Sequence, residues 1–188
     1  MKLSSVNTAL KEWDAVTRAA LEGRTAVLVR KGGILEQREG FSVEHDSFWL
    51  YPTFLHQNPG ELRLQHHDLL RDNPEPNQVR LEAFCNVERV WKIETLETAR
   101  SLEPFNALTA DALERRFLYR NKPWVHAILL RVHRAEPHTT LETPAYAGCT
   151  SWVPLEGDVP VANATPVMSD LEFERVKQEL EGLLEMPV

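Results

Sequence analysis

The chain has 188 residues, of which 43% are hydrophobic and 26% are charged, a composition typical of one globular domain. No apolar stretch approaches the roughly 20 residues that a membrane-spanning helix needs, so we expect no membrane contact and a cytoplasmic protein. The two cysteines, Cys85 and Cys149, lack CxxC spacing, which argues against a disulfide scaffold or a zinc ribbon, and no cofactor is expected.

The net charge of −7 is unevenly distributed. After residue 154, eight acids stand against two cations, whereas residues 115–134 carry six cations and no acid. A nearly neutral body with a basic stretch can bind an anion in spite of the overall negative charge. Composition therefore leaves nucleic acid open as a partner.

The first predicted element is a helix that begins near Ser4 or Ser5 and ends at Gly23. Its helically spaced apolar residues are Val6, Leu10, Trp13, Val16 and Ala20. A Gly-Gly pair at residues 32–33 predicts a tight turn. Strands are predicted at residues 25–30, 40–45, 47–53, 79–94, 122–137, 139–142 and 146–156.

Further helices are predicted at residues 58–72, 95–102 and 109–119. A capping box, Ser169 to Glu172, opens a C-terminal amphipathic helix. This order lacks the regular alternation of a doubly wound sheet and predicts an α+β fold with a curved, barrel-like mixed sheet. We expect one such domain over residues 1–168, with residues 169–188 forming an added helix packed on or beside it.

Four phrases of the sequence, KGGI, FSVEH, FWLYPTFLHQ and YAGCTSWVPLE, resemble a bacterial family of unknown function along nearly the whole chain. The resemblance implies no established activity. The resemblance implies that some members lie beside restriction-type nuclease domains, which favours a role in nucleic-acid metabolism or in a defence system.

A second resemblance, over roughly residues 15–142, is to the PUA-like barrel and its ASCH subgroup. The Gly-x-Lys-Thr step of that subgroup corresponds to residues 23–25. The arginine that ends its next strand corresponds to Arg30, and its Glu-x-Phe motif corresponds to residues 82–84. The helix LTADALERRFLYR and the strand WVHAILLRVHRAEP match in order. The resemblance implies a partly closed PUA-like β barrel with surrounding helices.

Some ASCH proteins hydrolyse modified cytidine with Lys, Thr and Glu, and many relatives bind RNA. The resemblance therefore implies ligand-binding roles for Arg24, Thr25, Arg30, Lys31 and Glu82, with Glu82, His56 and Thr25 as catalytic candidates. Arg24 occupies the lysine position, and an arginine stays protonated and cannot act as a base. The alternative interpretation is that Arg30 and Lys31 are strand-end charges and that Glu82 faces solvent.

Histidines crowd residues 45–67, but no HxH or HExxH spacing is present, and no metal site is expected. The adjacent His66 and His67 point in different directions on a helix. A hydrogen-bonding pocket for a neutral ligand is the preferred interpretation, because each side chain in it can donate or accept. Its residues are His45, Tyr51, Thr53, His56 and Gln57.

Basic and aromatic residues alternate just before the strand at residues 122–137, as a single-stranded nucleic acid requires. This predicted nucleic-acid rim comprises Arg115, Arg116, Tyr119, Arg120, Lys122 and Trp124. The alternative is a solvated helix end whose aromatics belong to the core. Ser151 and Cys149 lack the surroundings of a nucleophile, and Cys149 and Trp152 are interpreted as packing residues.

The preferred functional hypothesis is a binding module for RNA, single-stranded DNA or a modified nucleotide. One alternative is a hydrolase acting on a modified nucleoside or small amide, in which Glu82 or His56 activates water. The other is a protein-interaction subunit of a defence system, with the acidic C-terminal helix as its docking face. The sequence leaves the oligomeric state open.

Overall fold

Strands dominate the structure, a computed structural model that describes residues 4–31, 45–146 and 150–185. The strands are β1 Ser5–Trp13, β2 Val27–Arg30, β3 Ser47–Thr53, β4 Gln78–Ile93, β5 Val125–Leu141, β6 Trp152–Pro160 and β7 Thr165–Pro166. The helices are α1 Asp14–Leu21, α2 Leu96–Ser101, α3 Ala110–Leu118 and α4 Asp170–Leu184, joined by single-turn 3₁₀ segments. The turn predicted at residues 32–33, most of the strand predicted at residues 40–45, and Cys149 lie outside the described residues.

The described strands form one mixed sheet in the order β2-β5-β4-β3-β1-β6, with β7 paired to β5. β1 and β3 run parallel, and the other pairs are antiparallel. The sheet curves strongly. Its curvature brings Arg30, at the end of edge strand β2, close enough to donate to the Lys11 carbonyl oxygen on β1 at 3.0 Å. No ladder joins β2 to β6 among the described strands, so the sheet is not closed into a barrel. The predicted mixed α+β fold is confirmed.

The predicted first helix is wrong over its first half, where Ser5–Trp13 is the strand β1. The register of β1 against β6 shifts between Val6 and Thr8, so a bulge interrupts the alternation of side chains. Val6 packs in one hydrophobic cluster and Leu10 in the other, so these residues of β1 are buried on opposite faces of the sheet. Only Asp14–Leu21 is helical, and Gly23 at φ 68° follows its end, as predicted.

Both faces of the sheet are buried. Phe48 and Leu50 of β3 pack into one hydrophobic cluster with α1, α3 and α4. Their neighbours Trp49 and Tyr51 point to the opposite face and pack into a second cluster with β6 residues. Strand β3 is therefore central on both sides, which places its final residues at a fixed position beside β1.

The long strands β4 and β5 confirm the two clearest strand predictions. They pair along nearly their full lengths, from Gln78 opposite Leu141 to Ile93 opposite Val125. The separate edge strand predicted at residues 139–142 is wrong, because residues 139–141 continue β5 without a break. Helices α2 and α3 lie at the predicted positions.

The helix predicted at residues 58–72 is wrong and is replaced by the 3₁₀ segments Pro59–Glu61 and Leu64–Leu69. Asn58 caps the first of them as expected, accepting from the Gly60 amide at 3.0 Å. The helix does not continue because its backbone pairs with another segment. Arg63 N donates to the Ala107 carbonyl oxygen at 3.0 Å, and Glu61 O accepts from Thr109 N at 2.9 Å.

Helix α4 begins at the predicted capping box of Ser169 and Glu172. Its acidic side is largely engaged within the molecule, since Arg89 of β4 pairs with Glu181 at 2.8 Å and Glu185 at 2.6 Å. Lys177 adds a 2.6 Å pair with Glu88. These contacts tether α4 to β4. Within the described residues, none of the helices combines the length and hydropathy that spanning a bilayer requires.

Buried histidines should make the stability depend on pH. His66 is fully buried, and burial lowers its pKa below the ordinary value of 6.5, as it does for His126 and His133. The unfolded chain therefore binds more protons, and the free energy of unfolding should fall as the pH decreases through about 6.5. His66→Gln should reduce that slope by up to about 1.4 kcal/mol per pH unit.

Urea titrations at pH values from 7.5 to 5.5 measure this slope. The exposed His56 provides the control, and His56→Gln should keep the wild-type slope. A wild-type slope in His66→Gln would contradict the prediction.

Candidate nucleic-acid interface

Arg24 is engaged by neighbouring carboxylates and does not form part of an open site. Its guanidinium makes two 2.8 Å hydrogen bonds to Asp68 and a 2.7 Å ion pair with Glu22. The hydrogen bonding that Arg24 donates to Asp68 raises the pKa of Arg24 above its usual value. Arg24 therefore fastens the 3₁₀ segment Leu64–Leu69 to the end of α1.

Thr25 and Glu82 lie in different places. Thr25 is buried, and its hydroxyl donates to the Phe105 carbonyl oxygen at 2.9 Å. Glu82 lies on β4, pairs with Arg80 at 3.1 Å, and lines a cavity whose lining includes neither Arg24 nor Thr25. The structure does not bring the three residues of the implied catalytic set together.

The side chains predicted to share a hydrogen-bonding pocket serve separate purposes. The Gln57 carboxamide oxygen accepts from Ala15 N at 2.9 Å and so caps α1, and Thr53 donates to the Glu12 carbonyl oxygen at 3.2 Å. Tyr51 is buried, which raises the pKa of its phenol. The two histidines are apart as well. His45 lies edge-on to Trp152 at 5.1 Å between ring centroids, and His56 is exposed with φ 65°.

A buried ion pair lies where β1 and β2 end. Arg30 Nη1 donates to Glu12 Oε2 at 2.7 Å, and the two side chains are only 15% and 6% exposed. Arg30 Nη2 donates to Ser151 Oγ at 3.1 Å. We call Glu12, Arg30 and Ser151 the strand-end cluster. It links β1, β2 and the residue before β6, and so holds the curved sheet together where no ladder does.

Arg116 connects α3 to this cluster. Its Nη1 donates to the Val29 carbonyl oxygen at 2.8 Å, and its guanidinium lies 5.7 Å from the ring centroid of Trp13. Burial lowers the pKa of Arg116, while the Glu12 charge acts in the opposite direction. Arg116 is thus a structural link beneath the predicted rim and is not free to contact a ligand.

Beyond Arg116, the end of α3 and the turn into β5 form an exposed basic surface, the basic tip. It consists of Lys31, Arg115, Tyr119, Arg120, Lys122 and Trp124. Lys31 organises it, because its ammonium donates to the carbonyl oxygens of Phe117 at 2.6 Å, Trp124 at 2.9 Å and Lys122. The same ammonium lies 5.0 Å from the Trp124 ring centroid.

The backbone of the basic tip turns sharply at Arg120 and Asn121, whose φ angles of 59° and 55° lie in the left-handed region. Non-glycine residues adopt this region at a cost, and sites where they do so are enriched in functional residues. The turn places Arg120 over Tyr119, 5.2 Å from its ring centroid. The contacts of Lys31 hold this conformation in place.

The charges of the basic tip are only partly neutralised. Arg115 pairs with Glu61 at 3.4 Å. In the described ranges, no carboxylate pairs with Lys31, Arg120 or Lys122. Tyr119 is 54% exposed beside them. The tip therefore presents unpaired cations next to an aromatic ring, which suits a phosphate backbone and a stacked base.

Sequence reasoning found most of the basic tip but missed Glu12 and Trp13, because both were assigned to a helix. It also rejected Ser151 as a nucleophile and gave it no structural role. A strand assignment for Ser5–Trp13 would have put the acid Glu12 at a buried strand end, where it needs a cation. Within the described residues, no group of three or more His, Cys, Asp or Glu side chains could hold a metal ion.

Comparison with known proteins gives one family and several solved structures. Residues 9–179 match the family described as "Domain of unknown function (DUF1802)". No curated protein matches. An ASCH protein from Zymomonas mobilis is 14% identical, with 92% of this chain and 94% of that chain covered and a TM-score of 0.45.

Two point mutants of ASCH from Zymomonas mobilis are also similar. A Ser-to-Ala mutant is 15% identical, with 96% of this chain and 99% of that chain covered and a TM-score of 0.44. A Tyr-to-Phe mutant is 15% identical, with 73% and 90% covered and a TM-score of 0.42.

Proposed function

The chain belongs to the family of domains of unknown function described as DUF1802, and we propose that it is a nucleic-acid-binding module that holds single-stranded RNA or DNA on its basic tip. The observation that carries the proposal is the pair of cations Arg120 and Lys122, which no carboxylate of the described residues pairs, beside the exposed ring of Tyr119. Phosphate neutralisation supplies affinity without sequence preference, and a ring supplies stacking to any base.

A single strand fits this surface better than a duplex. The bases of a duplex are stacked inside it, whereas those of a single strand can lie against Tyr119. Trp124 is half-buried under the Lys31 ammonium and supports the tip rather than offering a free face. Tyr119 is therefore the stacking residue, with Arg120 covering part of its ring and facing the backbone.

The strand-end cluster supplies a rigid base for this surface. Arg116 bonds to the Val29 carbonyl oxygen and ties the last turn of α3 to β2, whose end carries both Arg30 and Lys31. A preorganised surface loses less conformational entropy when it binds. The position of the tip thus depends on buried contacts that themselves do not touch the ligand.

Salt should weaken binding of labelled single-stranded RNA in a predictable way. With Arg120 and Lys122 neutralising two phosphates of a single strand, log affinity should fall with log salt with a slope of about −1.4. That slope corresponds to a roughly sevenfold loss of affinity between 50 and 200 mM salt. Fluorescence anisotropy measures both, and a slope near zero would contradict the proposal.

The variant Arg120→Glu/Lys122→Glu should weaken this binding at least about tenfold and flatten the salt dependence. Arg80→Glu/Arg175→Glu is the matched control, because it makes the same change in net charge at exposed positions on β4 and α4. The control should bind like wild type. Equal losses in both variants would show that net charge, and not the basic tip, governs binding.

A further inference from the structure

A cavity separate from the basic tip lies between α1, the end of β3 and the start of β4. Its volume is about 350 Å³, at the low end of the range for small-molecule pockets. Leu21, Pro52, Phe54 and Val79 supply apolar walls. The shape and lining are those of a site for a small ligand with an apolar body.

Most charges in the cavity wall are already paired. The Asp14 carboxylate, 2% exposed, takes two hydrogen bonds from Arg71 at 2.8 and 2.9 Å. The hydrogen bond to Asp14 raises the pKa of Arg71. Glu82 pairs with Arg80 at 3.1 Å. These two pairs leave no net charge for a ligand to neutralise.

Arg18 is the exception on the α1 side of the cavity. Its Nη1 donates to the Leu69 carbonyl oxygen at 2.9 Å, and no carboxylate of the described residues pairs with it. A guanidinium has five N–H donors in a planar fork that matches a carboxylate. The remaining acid of the lining, Glu75, is exposed in the loop before β4. Arg18 thus offers a positive charge next to apolar walls.

We propose that this cavity binds a small monocarboxylate, with the carboxylate on Arg18 and the apolar body against Leu21, Phe54 and Val79. A single negative charge fits better than a phosphate dianion, because Arg18 is the one cation of the lining that no carboxylate of the described residues pairs, and one guanidinium matches one carboxylate. Arg71, which lies 5.9 Å from the Phe54 ring centroid, closes one wall.

Isothermal titration calorimetry with two matched pairs of probes tests the proposal. Benzoate and hexanoate should bind to the wild-type chain, and benzamide and hexanamide, of the same size but uncharged, should bind about tenfold more weakly or worse. Arg18→Met should weaken benzoate binding at least tenfold and leave benzamide binding unchanged. Arg175→Met, an exposed arginine of α4, should change nothing.

Gln78→Trp provides a second test that leaves Arg18 and its bond to Leu69 intact. Gln78 is an exposed residue of the lining, and an indole there should fill the cavity and abolish binding of both members of each pair. Equal affinity for acid and amide would overturn the proposal, as would tighter binding of inorganic phosphate or cytidine. The absence of heat with every probe would overturn it too.

Discussion

Arg30→Met is expected to lower the free energy of unfolding by about 3–5 kcal/mol, because it leaves a buried carboxylate without its cation. Glu12 is only 6% exposed on its side chain, and among the described residues its carboxylate accepts, apart from Arg30, from Trp13 N at 3.0 Å. The same substitution removes the bonds from Arg30 to the Lys11 carbonyl oxygen and to Ser151 Oγ. The curved sheet would then lose its link between β2 and β1.

Replacing the acid of the pair should destabilise the protein less than replacing the arginine. In Glu12→Met, Arg30 keeps the Lys11 and Ser151 acceptors and is 15% exposed, so its charge retains partners. The double variant Glu12→Met/Arg30→Met should be more stable than Arg30→Met alone, because no buried charge is left unpaired. A coupling energy of about 2–3 kcal/mol between the two sites is expected.

Urea denaturation of the four proteins in this cycle gives the coupling energy directly. Arg89→Met is the matched control, since Arg89 also pairs with carboxylates, those of Glu181 and Glu185, but is 44% exposed. Exposed pairs contribute little, so the control should lose no more than about 1 kcal/mol. Equal losses at Arg30 and Arg89 would contradict the burial argument.

Leu180→Ala is expected to lower the free energy of unfolding by about 2–5 kcal/mol. Leu180 is fully buried and packs with Phe173 into the cluster that contains α1 and β5 residues. Leu171 on the same helix is 73% exposed, so Leu171→Ala should stay within about 0.5 kcal/mol of wild type. Similar losses in both variants would show that α4 does not pack as described.

The burial of Leu180 also changes how a docking role for α4 should be tested. Deleting residues 169–188 would remove Phe173 and Leu180 from the core, so loss of a partner after deletion would not distinguish docking from unfolding. Glu174→Lys/Glu179→Lys changes two exposed acids and leaves the core intact. It is the appropriate variant for a pull-down.

The elements found from sequence are those whose signal is local. The capping box at Ser169 satisfies backbone donors within one helical turn, and the apolar run of β5 is long enough to exclude other structures. The helix predicted through Ser5–Trp13 failed, because β1 is buried on both faces and its pairing with β6 leaves no signal in the local sequence. That partner strand begins 139 residues after Trp13, at Trp152.

In the candidate interface, too, some features follow from the local sequence and others only from the tertiary structure. Composition and alternation determined by themselves that cations and aromatics gather near residue 120. Only the tertiary structure decided their roles, since Arg116 turns inward to the Val29 carbonyl oxygen and Lys31 clamps the turn before β5. Charge and hydropathy are properties of single residues and their neighbours. Which charge is buried, paired or free depends on contacts between distant segments, and those exist only once the sheet has curved.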